Sequence, residues 1–152
     1  MVEEGMKAPD FSLQNQDGET ISLKDFKGKN IILYFYPKDN TSGCTKEACN
    51  FRDEFPKFKN VDAVILGVSP DSVKSHKKFA DKYDLPFNLL SDEDRDVIET
   101  YGVWKEKSMY GRKYMGVERT TVVIDVNGKI KKIFPKVKVD GHNEELLVAL
   151  KN

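Results

Sequence analysis

The sequence predicts an α/β fold: a mixed central sheet flanked by helices, with a small β-hairpin near the start. Three observations carry this. Two continuous apolar runs, "NIILYFY" from Asn30 and "VDAVILGVS" from Val61, read as strands buried on both faces. Each is followed by a stretch whose apolar residues recur at helical spacing. Asn127-Gly128 then splits "TTVVIDVNGKIKKIF" into two further strands, a strong hairpin signal.

Taken in order, "FSLQNQDGETISL" alternates apolar and polar residues around Asp17-Gly18, which predicts the first hairpin. The Asn30–Pro37 run is ended by its proline. Cys44, Ala48, Phe51 and Phe55 stand at i, i+4, i+7 and i+11, one face of a helix that Pro56 ends or kinks. After the Val61–Ser69 strand, "DSVKSHKKFADKY" places Val73, His76, Ala80 and Tyr83 on one stripe, with Asp71 or Ser72 as cap. "FNLL" (Phe87–Leu90) reads as a short strand. "SDEDRDVIETYGV" (Ser91–Val103) reads as a helix with an acidic first turn. "HNEELLVAL" (His142–Leu150) closes the chain as an amphipathic helix. His76 is expected at the edge of the core and His142 at the surface or near the cap of the last helix. Strands joined by helices pair in parallel, and the late hairpin adds an antiparallel pair. This layout is that of a thioredoxin-like domain.

The chain has 152 residues, a length expected of one compact domain spanning residues 1–152. Lys+Arg and Asp+Glu balance at 25 each, so there is no basic footprint for nucleic acid. "KIKKIFPKVK" is the densest basic stretch and reads as a solvated strand surface. The apolar runs are too short to cross a bilayer. "MVEEGMKAPD" has no apolar signal region, and a cytoplasmic location is expected.

Chemistry concentrates in "PKDNTSGCTKEAC", which holds the only two cysteines, Cys44 and Cys49. Metal binding is not expected: the spacing is wrong for zinc, and both histidines are distant in sequence. In a helix, five residues put the two Cα atoms about 8.7 Å apart. A disulfide needs about 7 Å or less. The pair therefore cannot bond while the helix is intact, which leaves two inert core cysteines or a redox pair that needs local unwinding. Cys44 lies in or near the first helical turn, where free N–H groups and the positive dipole end stabilise a thiolate. Its position on the apolar face points the sulfur towards a shallow pocket, whereas Cys49 lies off that face.

"PKDNTSGC" fits Pro-x3-Thr-x2-Cys as Pro37, Thr41 and Cys44, and so resembles the active-site motif of the peroxiredoxins. "CTKEAC", "KAPDFSL" and "YGVWKEKSMYGRKYMGVERTTVVID" are similar to the peroxiredoxin Q group, also called bacterioferritin comigratory protein. The similarity covers nearly the whole chain, and Cys49 is present although some members of that group lack it.

The resemblance implies a thiol-dependent peroxidase acting in antioxidant defence. Cys44 would be the peroxidatic nucleophile, attacking hydrogen peroxide or an organic hydroperoxide and becoming a sulfenic acid. Cys49 would be the resolving thiol, forming an intramolecular disulfide that thioredoxin or a similar dithiol reduces. Thr41 would hydrogen-bond thiolate and peroxide, Arg119 would stabilise developing charge, and Pro37 would shape the loop. No cofactor or metal is required, and an intrachain pair needs no partner subunit, so a monomer is expected. Trp104 lines the site or packs. Two other classes compete: a thiol–disulfide oxidoreductase that does not reduce peroxide, and a non-catalytic binding module or holdase.

Overall fold

The structure, a computed structural model, describes residues 2–151. The first hairpin is β1 (Ser12–Gln14) and β2 (Thr20–Ser22), antiparallel around Gly18, whose φ of +76° suits a turn glycine. Three parallel strands follow: β3 (Asn30–Phe35), β4 (Ala63–Ser69) and β5 (Asn88–Ser91). The late hairpin is β8 (Thr120–Ile124) and β9 (Ile130–Phe134). Together they make one seven-stranded mixed sheet in the order β2-β1-β5-β4-β3-β8-β9. β8 runs antiparallel to β3, and β1 antiparallel to β5.

Among the described residues five α-helices accompany the sheet: α1 (Ser42–Asp53), α2 (Phe55–Lys59), α3 (Val73–Tyr83), α4 (Asp96–Thr100) and α5 (His142–Lys151). Alternation along β3 divides the core in two. Ile31, Leu33 and Phe35 join Leu66, Val68, Ile98 and Val122 in one cluster. Ile32, Tyr34 and Tyr36 join Cys44, Ala48, Phe51, Phe79 and Leu146 in the other. The helices bearing the cysteines and the C-terminus therefore pack on one face, and α4 packs on the other.

Several local expectations are corrected. Pro56 does not simply stop a helix: α1 ends at Asp53, and the proline sits in the first turn of α2, where a missing N–H is no loss. Of the two expected caps, Ser72 is the one used for α3, accepting from Ser75 N at 3.1 Å. The Ser91–Val103 helix shrinks to α4, because Arg95 takes a left-handed conformation at its start. Asp92 Oδ2 accepts from Ile98 N at 2.8 Å. His76 is fully buried rather than marginal. His142 is also buried, held between Thr121 Oγ1 at 2.8 Å and Glu145, and burial lowers its pKa. An unanticipated two-stranded ribbon, β6 (Trp104–Met109) and β7 (Arg112–Val117), stands apart from the main sheet.

Candidate active site

β3 delivers the chain to a loop at the carboxyl end of the parallel strands, Pro37 to Thr41, and α1 starts immediately after it. Pro37 is half-buried behind Tyr36, whose N–H still pairs with Val68 O at 3.0 Å. Thr41 occupies the N-cap position with an extended backbone, and its carbonyl accepts from Thr45 N at 2.8 Å. Its hydroxyl does not cap the helix but donates to Lys38 O at 2.9 Å. A bond from Thr41 to the Cys44 sulfur or to a peroxide requires that hydroxyl to turn away from Lys38. The first-turn N–H groups of α1, which have no intrahelical acceptor, are thus left without a side-chain cap.

Both cysteines are free thiols on an intact α1. Cys44 is only 2% exposed and packs in the cluster with Ala48 and Phe51. Cys49 is half-buried. A cavity of about 410 Å³ lies beside the loop, and Asp39, Asn40, Ser72, Ser75 and Lys82 line it.

Arg119 comes from the far side of the sequence, in the link between β7 and β8. Its carbonyl accepts from Val137 N at 2.9 Å, which fixes the backbone. The guanidinium splits between two partners: Nη2 donates to Cys44 Sγ at 3.3 Å, and Nη1 to Glu47 Oε1 at 2.6 Å. Gly43 makes room for this approach. A Cβ there would lie 3.1 Å from Arg119 Nη2. Sequence reasoning placed Arg119 and missed Glu47. The available signal was an acidic residue three positions after Cys44, on the same helix side.

The electrostatics are those of a nearly dry site. Burial pushes Glu47 up to about 7 against the pull of Arg119, and its second oxygen, Oε2, has no hydrogen-bond partner among the described residues. Burial alone would lower the Arg119 pKa, but attraction to Glu47 and Cys44 outweighs it and holds the guanidinium above its ordinary value. Lys107, on β6, is held below its ordinary value by burial and then by the Arg119 charge. Trp104 lies under the Arg95 guanidinium, 4.7 Å from ring centroid to Cζ. The arrangement offers a buried sulfur, a helix N-terminus and a fixed cation, a combination that can stabilise negative charge on sulfur and on an oxygen bound to it.

The sequence pattern of the AhpC/TSA family matches residues 5–133. A Coxiella burnetii protein named putative peroxiredoxin bcp is 56% identical over 149 residues, covering 98% of this chain and 99% of that protein. Peroxiredoxin Bcp of Bacillus subtilis is 52% identical over 151 residues, covering 99% and 96%. Among solved structures, the Xanthomonas campestris bacterioferritin comigratory protein, described by its alkyl peroxide reduction activity, superposes with a TM-score of 0.90 at 39% identity, covering 98% of each chain. The chain has the thioredoxin-like peroxiredoxin fold; it belongs to the AhpC/TSA family, in which it is a thiol peroxidase similar to peroxiredoxin Bcp and peroxiredoxin Q.

Proposed function

We propose that this peroxidase reduces hydrogen peroxide and organic hydroperoxides through Cys44 and resolves the product with Cys49. The Cys44 thiolate attacks the terminal peroxide oxygen, and the O–O bond breaks. The departing alkoxide or hydroxide takes a proton to become alcohol or water, leaving Cys44 as sulfenic acid. The Cys49 thiolate then attacks the Cys44 sulfur and expels hydroxide, forming the Cys44–Cys49 disulfide. Thioredoxin or a similar dithiol reduces that bond by exchange and becomes oxidised itself. The observation that carries this reading is the 3.3 Å contact from Arg119 Nη2 to Cys44 Sγ at the start of α1.

In this reading Arg119 stabilises the thiolate and the charge that develops on oxygen, Thr41 hydrogen-bonds the thiolate and the bound peroxide, and Pro37 shapes the loop and shields the site from water. The whole chain acts as one domain and as a monomer, since both thiols lie on α1, and serves antioxidant defence and redox homeostasis in the cytoplasm. Among the described residues no helix is long and apolar enough to cross a membrane.

The test is NADPH consumption coupled through thioredoxin reductase and thioredoxin, with hydrogen peroxide or cumene hydroperoxide as substrate. Turnover should vanish in Cys44→Ser. Persisting turnover in that variant would sink the assignment. Insulin reduction without peroxide turnover would point instead to a thiol–disulfide oxidoreductase.

A further inference from the structure

Asp39, two residues into the loop, is held more heavily than any neighbour. Its Oδ1 accepts from Tyr36 Oη at 2.5 Å. Its Oδ2 accepts from Ser75 Oγ at 2.7 Å and faces His76 Nδ1 at 2.7 Å, both on α3. Its own N–H donates to Asp71 Oδ2 at 2.8 Å, an oxygen that also accepts from Ser69 Oγ at 2.6 Å. His76 Nε2 faces Leu90 O at 3.0 Å, so the cluster is tied on to β5. Asp39 is 7% exposed, and His76 and Ser69 are fully buried. Atoms of Asp39, Asp71 and His76 lie within 4.8 Å of one another, a grouping that could attract a cation. Here the hydroxyls of Tyr36, Ser75 and Ser69 and the Asp39 N–H fill the facing carboxylate lone pairs, so the cluster is a hydrogen-bonded knot.

The tethering drops abruptly one residue later. Asn40, Thr41 and Ser42 are exposed. Asn40 is in the left-handed region, φ +60°, and its side chain is held, among the described residues, by two long contacts, from Lys82 Nζ and Tyr83 Oη, each 3.3 Å. Asparagine is one of the few residues that tolerates this conformation, so the turn is made here without demanding further anchors. Cys44 lies just beyond this step, five residues from the knot.

We infer that Asp39, clamped by Ser75 and His76, is a positioning residue for the peroxidase reaction. It is the fixed pivot that sets the loop and the N-terminus of α1, and opening of the site begins beyond it. This rests on the resolving role proposed for Cys49, because only that role requires α1 to open. Before opening, the pivot places the free N–H groups and Cys44 against Arg119. After opening, it remains and returns the segment to the same geometry.

Two measurements test this. The first is residue-resolved amide hydrogen exchange on the reduced chain and on the disulfide form. The Asp39 and His76 amides should stay protected in both, while Thr45 and Ala48 lose protection on oxidation; loss of Asp39 protection would overturn the pivot. The second is rapid kinetics on Asp39→Asn and, should that chain not fold, on the milder Ser75→Ala. Peroxide attack should slow about tenfold in Asp39→Asn and several-fold in Ser75→Ala. That is less than the roughly 100-fold typical of a 1 Å misplacement. Disulfide formation from the sulfenic acid should not slow. Tyr101→Phe, which removes the bond to Pro9 O on the opposite side of the sheet, should leave both steps unchanged. Unchanged attack in the folded Asp39 or Ser75 variant overturns the inference, as does equal slowing of both steps, the mark of a merely structural role. If mass spectrometry finds no Cys44–Cys49 bridge in the wild type, the resolving reading itself fails and takes the pivot with it. A bridge that forms normally while the variants behave as wild type overturns the pivot alone.

Discussion

Arg119 and Glu47 form an ion pair across 2.6 Å from which water is nearly excluded, their side chains being 17% and 2% exposed. The pair fixes one arm of the guanidinium and leaves the other for the Cys44 sulfur. Arg119→Lys should not restore function, since an ammonium is a point charge and cannot reach both partners in a planar fork. Peroxide attack by Arg119→Lys or Arg119→Ala should slow about 10²–10³-fold, by analogy with loss of one oxyanion-hole donor. Stopped-flow measurement of sulfenic acid formation checks this; near-wild-type rates in a folded Arg119→Ala chain would make Arg119 a bystander.

Glu47 gives a pH signature. Burial raises it from 4.5 to about 7, so the folded state binds its proton more tightly than the unfolded state. Over that window the folded chain holds a proton the unfolded chain has lost, and stability falls as pH rises from about 4.5 to 7. Above it the loss is complete and constant. Glu47→Gln removes the slope. Relative to the wild type, the variant should gain stability between pH 5 and 8, by an amount on the order of a few kcal/mol. Denaturant unfolding of both chains at those two pH values decides it, and parallel pH profiles would contradict the burial argument.

Gly43→Ala should slow peroxide attack several-fold while leaving the fold intact. Alanine suits a helix, but its Cβ would stand 3.1 Å from Arg119 Nη2. The guanidinium, anchored by Glu47, must shift by a few tenths of an ångström. Melting temperature and attack rate measured together separate the two effects. A stabler chain with unchanged rate would show that Arg119 moves freely.

Cys49→Ser should consume about one equivalent of peroxide and stall as Cys44 sulfenic acid. Thioredoxin-driven turnover should then be lost. In the wild type, α1 from about residue 41 to 51 should exchange amide hydrogens faster in the disulfide form, because the two Cα atoms are about 8.7 Å apart in an intact helix. Equal protection in both redox forms, with the bridge verified by mass, would refute the unwinding.

What the sequence disclosed follows from what was buried. β3 and β4 have both faces covered, so their apolar runs were unambiguous. The face bearing Cys44, Ala48 and Phe51 was legible for the same reason. The β6–β7 ribbon was missed because it buries little: Met109, Tyr110, Tyr114 and Met115 are exposed, and no period-two stripe develops. Its one local signal was Tyr110-Gly111, both at positive φ (52° and 79°), which joins Met109 to Arg112 as a two-residue hairpin turn. Tyrosine is an unusual residue there. Glu47 and the Asp39 knot escaped because neither is a matter of periodicity. Each depends on residues brought together from distant segments: Glu47 with Arg119, and Asp39 with Ser75 and His76.

The division of the core by β3 bears on endurance. An enzyme that must unwind a helix in every cycle risks coming wholly undone, and a chain with a single undivided interior would gamble its integrity each time. On the mechanism proposed above, the helix that opens, α1, packs its Cys44, Ala48 and Phe51 face on the side shared by Tyr34 and Tyr36. The opposite side, built by Leu33, Phe35, Ile98 and Val122, can stay shut like the keel of a boat whose hatch is open. Regions of unequal local stability behave as separable cooperative units. Wear, in the form of aggregation or proteolysis during turnover, should then concentrate in α1 and its surroundings and spare the far half of the molecule.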